Sequence, residues 1–199
     1  MKITSAMVKE LREKSGAGIM DCKEALTASE GEMETAIEYL RKKGLQDASK
    51  RTARSTSEGM VHSYIQGQGR IGVLLEVNCE TDFVARTDDF QELVHDIAMH
   101  IAASGPEFVS KEEVPEEAVA KERRILEEQA KEAGRPEQVI PKIVEGRLQK
   151  YFEDVCLLEQ PFVKDSDLTV NELLTDKIAK LGENITVGRF TRFVLGESS

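Results

Sequence analysis

The sequence predicts an α+β chain: a helical amino-terminal module, then a small and mainly antiparallel sheet with helices packed on it. Three observations carry this. Residues 1 to about 47 show apolar stripes at helical spacing, broken twice by glycine. Ile71, Val73, Leu75 and Val77 alternate with other residues, which is strand period. Beyond residue 87 helical stripes return, most of them opened by a capping residue, before a last strand, Phe190–Leu195.

In the amino-terminal part, Thr4 is placed to cap a helix carrying Met7, Val8 and Leu11, and Ser15-Gly16-Ala17-Gly18 breaks it. A second helix turns Cys22, Ala25 and Leu26 inward. After Ser29-Glu30-Gly31 a third presents Met33, Ala36, Ile37 and Leu40, and Gly44 is expected to end it. The stretch 41–54 holds Arg41, Lys42, Lys43, Lys50, Arg51 and Arg54 against the single acid Asp47. It reads as a linker. A boundary is therefore expected near residue 55, with a small helical module at 1–55 and an α+β core at 56–199.

The core opens with a hairpin. Met60–Ile65 is one strand, Gly67-Gln68-Gly69 the turn, and the alternating stretch the second strand. A short connection, Glu80 to Arg86, leads to Thr87, an N-cap ahead of Asp88 and Asp89. The helix that follows carries Phe90, Leu93, Val94, Ile97, Ala98 and Ile101. Ser110 with Glu113, and Thr169 with Glu172, are spaced as capping boxes. Between them, a charged helix ending at Gly134 and a second one beginning near Pro136 or Pro141 are expected to pair as a helical hairpin.

With 40% hydrophobic and 32% charged residues the chain is ordinary globular material. A formal charge of −10 repels phosphate backbones, so no direct nucleic-acid binding is expected. The start, Met1 to Lys9, lacks the apolar run of a secretory signal, and no stretch approaches the ~18 apolar residues of a membrane span. Cys22, Cys79 and Cys156 are odd in number and far apart, which points to a reducing, cytoplasmic setting.

Motifs for chemistry are scarce. Gly67 to Gly72 fits G-x-G-x-x-G, but a strand follows where dinucleotide binding requires a helix N-terminus. There is no phosphate-binding G-x-x-x-x-G-K-[ST] motif. His62, His95 and His100 have no metal-ligand spacing, and the cysteines lack C-x-x-C. No metal, cofactor or catalytic residue is assigned. Two apolar-rich features stand where a chain is normally polar. Ile19 and Met20 follow a glycine turn, and either tuck under the helices or point outward. Phe83, in Thr81-Asp82-Phe83-Val84-Ala85, is either an anchor into its own core or a wedge for another protein. Periodicity alone favours the anchor.

Those two segments also carry a resemblance. Val8-Lys9-Glu10-Leu11-Arg12 with Gly16-Ala17-Gly18-Ile19-Met20-Asp21-Cys22-Lys23-Glu24-Ala25-Leu26 is similar to the amino-terminal module of the elongation factor Ts family, which is like the ubiquitin-associated three-helix fold. Glu76-Val77-Asn78-Cys79-Glu80-Thr81-Asp82-Phe83-Val84-Ala85 resembles that family's central signature. Val144-Glu145-Gly146-Arg147, Leu158-Glu159-Gln160-Pro161-Phe162-Val163 and Arg192-Phe193-Val194-Leu195-Gly196-Glu197 resemble its carboxy-terminal part. The match runs in order over nearly the whole chain.

The resemblance implies a guanine-nucleotide exchange factor for elongation factor Tu in translation elongation, with no covalent chemistry of its own. It implies that Thr81, Asp82, Phe83 and Val84 form a loop that intrudes near the partner's magnesium site. Arg12, Ile19 and Met20 would hold the same GTPase domain from another side. Many members have Met where Ile19 stands. A compact chain with one copy of the core unit resembles short members that can pair, so a homodimer is open. Three rivals remain: a ubiquitin-like-peptide binder resting on residues 1–47, an enzyme using Asp82 or a cysteine, and an RNA binder using the basic stretch.

Overall fold

The computed structural model describes residues 3–197. It is a mixed α and β chain whose contacts divide into two compact units. One unit holds the chain up to Gly59 together with Asn78–Phe90 and Leu174–Thr186. The other holds Met60–Val77, Gln91–Leu173 and the chain from Val187 onward.

The first unit begins with α1 (Ser5–Ser15), α2 (Ile19–Ala28) and α3 (Met33–Arg51). Thr4 caps α1 by accepting the Met7 N–H, and Gly16 ends it in the left-handed region at φ 69°. The three helices close over Leu11, Cys22, Ala25, Leu26 and Ala36, with Met7, Val8, Met33 and Leu40 packed around them. Ile37, expected inward, is partly exposed and lines a cleft instead.

Helix α3 runs through Gly44 to Arg51, so most of the stretch read as a linker is helical. The reason lies elsewhere in the same unit. A Cβ on Gly44 would come within 3.1 Å of the Ala179 Cβ, on α8 (Val170–Leu181). Glycine is placed there for close helix approach and not for termination, at the propensity cost of about 1 kcal/mol relative to alanine. Part of the local positive charge is matched: the Lys43 ammonium contacts the Asp21 and Glu24 carboxylates at 3.0 and 2.7 Å.

The second unit is built on a sheet of β1 (Glu58–Gln66), β2 (Ile71–Cys79) and β5 (Ile185–Val194), in the order β1-β2-β5. The hairpin turn is as expected: Gly67, Gln68 and Gly69 all have positive φ. The last strand starts five residues earlier than the Phe190 expected from sequence. The inner edge of β2 buries Val73, Leu75 and Val77. Helix α5 (Asp88–Ser104), opened by Thr87 accepting the Phe90 N–H, buries Leu93, Val94, Ile97, Ala98 and Ile101. Its place against the sheet is marked by His95, which meets the rings of His62 and Tyr64, and by Arg192, which donates to the Ala102 carbonyl.

The helical hairpin forms from α6 (Glu116–Glu132) and α7 (Ile140–Val155), joined over Leu126, Ala130, Ile140, Val144 and Leu148. Ser110 does not cap an α-helix. It precedes a single 3-10 turn, Lys111–Glu113, and the Glu113 carboxylate accepts the Val109 N–H. Thr169 and Glu172 do make a reciprocal capping box at the start of α8. One ribbon has no sequence precursor: β3 (Pro161–Phe162) pairs antiparallel with β4 (Asp165–Thr169). Two aspartates conceal β4, whose outer end is solvated and needs no apolar alternation.

Candidate functional site

The connection from Glu80 to Arg86 contains one helical turn, α4 (Asp82–Ala85). Thr81 is its N-cap. The Thr81 hydroxyl accepts the Val84 N–H at 3.5 Å, and the Thr81 carbonyl accepts the Ala85 N–H at 3.3 Å. Thr87 closes the far end by donating its hydroxyl to the Val84 carbonyl at 2.8 Å. With both ends pinned, the turn holds Phe83 outward at 79% exposure, the most exposed of the large apolar side chains among the described residues. The core-anchor reading of Phe83 is therefore overturned. Asp82, beside it, is paired with Arg86 at 2.8 Å, both groups facing solvent. Val84 is half-buried.

Beneath the turn lies a polar seat. The Glu183 carboxylate accepts the Thr81 N–H at 3.0 Å and the Thr81 hydroxyl at 2.6 Å. The Cys79 thiol donates to the Thr81 carbonyl at 3.1 Å. Burial, and then the negative charge of Glu183, push the Cys79 thiol up from its ordinary value, which keeps its proton in place for that bond. Glu80 accepts the Asn184 N–H at 2.7 Å and contacts Arg54 at 3.4 Å. Asn184 in turn donates to the Arg54 and Thr52 carbonyls. Spacing along the chain gave no signal for Glu183 or Asn184, which lie about a hundred residues from the turn.

On the three-helix part, Arg12 and Ile19 line one groove of about 430 Å³ with Ile3, Val8, Lys9 and Lys23. Ile19 and Met20 point outward, at 56% and 73% exposure, though Met20 is not in the groove wall. Apolar Ile3, Val8 and Ile19 beside the cations Lys9, Arg12 and Lys23 suit an apolar side chain with a carboxylate next to it. The sequence marked Arg12 and Ile19. Lys9 and Lys23 were readable only as i−3 and i+4 neighbours of those residues on their helices.

The three thiols and the His100 imidazole lie inside the fold. Cys22, Cys79 and Cys156 are free thiols, all buried. Burial holds Cys156 up at about 11. The His100 ring is satisfied on both nitrogens, by Gln160 at 2.9 Å and by the Val163 N–H at 3.1 Å. Among the described residues no three His, Cys, Asp or Glu side chains gather as a metal site, and no helix is long and apolar enough to cross a membrane.

Residues 2–197 match the family model described as Elongation factor TS. The chain belongs to the elongation factor Ts family. It is 62% identical over 195 residues to elongation factor Ts of Moorella thermoacetica, covering 98% of this chain and 96% of the relative. It is 61% identical to the protein of the same name from Carboxydothermus hydrogenoformans, over 98% of this chain and 90% of that one. With the Syntrophus aciditrophicus protein it shares 55% identity over 99% of this chain and 98% of the relative. Elongation factor Ts membership implies nucleotide exchange on elongation factor Tu in translation, without covalent chemistry.

Proposed function

We propose that this chain binds elongation factor Tu carrying GDP and promotes GDP release by presenting Phe83 as a wedge, while Arg12, Ile19 and Met20 hold the same GTPase domain. The observation that carries this reading is the exposed Phe83 on a helical turn pinned at both ends. Covering so large an apolar group in a partner is favourable, and a rigid turn loses little freedom on docking.

The magnesium ion at a bound nucleotide bridges phosphates and protein, and is the largest local charge there. Helices that move to admit Phe83 displace the groups around that ion, so the nucleotide loses affinity. Thr81 and Val84 shape the turn, and Asp82 supplies a carboxylate that can leave Arg86 for a cation of the partner. Coupling is reciprocal: if the factor weakens GDP, GDP weakens the factor by the same ratio. Nucleotide rebinding therefore expels the chain and lets it act again. The chain works in the cytoplasm, with residues 1–55 as a ubiquitin-associated-like module and 56–199 as the core domain, and with no membrane or direct nucleic-acid contact.

The test is release of fluorescent GDP from elongation factor Tu. Acceleration by catalytic amounts of this chain is expected. Release at the spontaneous rate would sink the proposal, and ubiquitin capture in its place would favour the rival peptide-binding reading.

A second reading concerns assembly. The outer face of the sheet exposes Val61, Ile65, Leu74, Phe193 and Leu195. On this sheet a Cβ on Gly72 would meet the Ile65 side chain at 3.3 Å, and Arg189 reaches Glu76 at 2.8 Å. Exposed apolar side chains on a sheet are a surface that a second copy can cover, and the same patch on both copies is what a two-fold interface uses. A homodimer through this face is the occupant we assign.

A further inference from the structure

We propose that Glu183 is the positioning residue of the exchange turn: its carboxylate grips Thr81 at two atoms and so fixes the direction in which Phe83 is presented. This rests on the reading of Phe83 as the wedge.

A wedge acts only if its direction is set before contact. Four residues cannot set their own direction, because so short a helix lacks the cooperativity that stabilises longer ones. An external clamp is needed, and Thr81 is where it attaches. The Thr81 N–H and hydroxyl point to one place, and the two oxygens of Glu183 meet them at 3.0 and 2.6 Å. The shorter distance is at the strong, charge-assisted end of O–H···O⁻ bonds. The Thr81 carbonyl is held by the Cys79 thiol at 3.1 Å, so all three polar groups of this residue are engaged.

The clamp is itself anchored. Helix α8 ends at Leu181, and Gly182 turns the chain at φ 78°, a left-handed conformation that favours glycine. Glu183 comes next, aimed by that turn. Asn184 then donates its N–H to Glu80 at 2.7 Å. The two segments thus hold each other reciprocally: Glu183 grips residue 81, and Glu80 grips residue 184. Asn184 extends the seat to the Thr52 and Arg54 carbonyls at 3.3 and 2.8 Å. Asp89, eight residues after Thr81, is also tied to α8, by Lys180 at 2.6 Å.

The chemistry of the clamp sets a graded expectation. Two donors, one N–H and one O–H, require two acceptor atoms on one side chain. Glutamate has them. Glutamine keeps one acceptor and can serve the hydroxyl with its amide N–H, if the hydroxyl becomes the acceptor. Alanine keeps none.

The experiment compares the full chain with Glu183→Gln and Glu183→Ala, each alone and combined with Phe83→Ala. Three quantities are read: saturated GDP release from elongation factor Tu, amide exchange at Thr81 and Val84 in the free chain, and thermal midpoint. Glu183→Ala is expected to slow release on the order of tenfold, the scale of bonds to a charged acceptor. It should also speed amide exchange at both positions. Glu183→Gln should fall between the parent and alanine in both readouts. In the Phe83→Ala background, Glu183→Ala should change release less than about twofold, because a residue acting through the wedge has nothing left to aim. Unchanged amide exchange in Glu183→Ala overturns the clamp with or without the partner. Additive losses in the double variant overturn it too, since Glu183 would then act by another route. If Phe83→Ala alone leaves release unchanged, the wedge reading fails and the positioning role falls with it. The amide data still report separately whether Glu183 orders the turn.

Discussion

Replacing Phe83 by alanine removes a side chain that the fold does not use. Phe83 is 79% exposed. A covered aromatic side chain buries roughly 150–250 Å². About four fifths of that area is still open to a partner, roughly 120–200 Å², worth about 3–5 kcal/mol at about 25 cal/mol per Å². Ordering and desolvation at the interface offset part of this. At least the ~1.4 kcal/mol of a tenfold rate change should survive. Thermal stability should shift by less than about 0.5 kcal/mol, as for other exposed positions. The assay is stopped-flow release of fluorescent GDP from elongation factor Tu at saturating factor, with a thermal melt of the variant alone. Unchanged release, or a melt lowered by several degrees, would refute the reasoning, because Phe83 would then be either idle or structural.

Other outcomes follow from the same structure. Leu74→Glu should place a charge in the middle of the exposed sheet face and convert a dimer to monomer in light-scattering chromatography; a parent that is already monomeric refutes that interface. Met20→Ala should raise the half-saturating concentration of the factor roughly tenfold, as for a modest interface anchor, with little effect on the saturated rate; an equal loss in both would show that Met20 does more than hold. Burial lowers the pKa of His100, and burial followed by His95 lowers that of His62. The unfolded chain therefore binds more protons between the ordinary value of about 6.5 and the lower folded values, and stability should fall as pH drops through that window. Urea midpoints at pH 7.5 and 5.5 measure this, and a His100→Gln variant with an undiminished slope would exclude His100 as a source. Gly44→Leu should cost about 1–3 kcal/mol by overpacking α3 against α8, read from thermal melts, and a neutral result would show that the helices part easily.

Much of the chain was legible because its signals are local. Thr4, Thr87 and the Thr169/Glu172 box cap their helices from within one turn, and Gly67 to Gly69 makes its own hairpin turn. The residues proposed for contact, Arg12, Ile19, Met20 and Thr81 to Val84, lie in short continuous segments, so the family resemblance could point to them. Gly44 misled for the opposite reason. Glycine at a helix end and glycine at a helix crossing look alike in sequence, and only Ala179, 135 positions away along the chain, distinguishes them.

By itself, the sequence determined the α+β class, the order of most elements and the family. Tertiary structure alone decided three things. It carried α3 on to Arg51, made a strand of the charged segment Asp165–Thr169, and turned Phe83 to solvent on a seat built by Glu183. The physical reason is the same each time. Close helix approach, strand pairing and a two-point carboxylate clamp join groups brought together by the folded chain, and neither periodicity nor local propensity records which of them will meet.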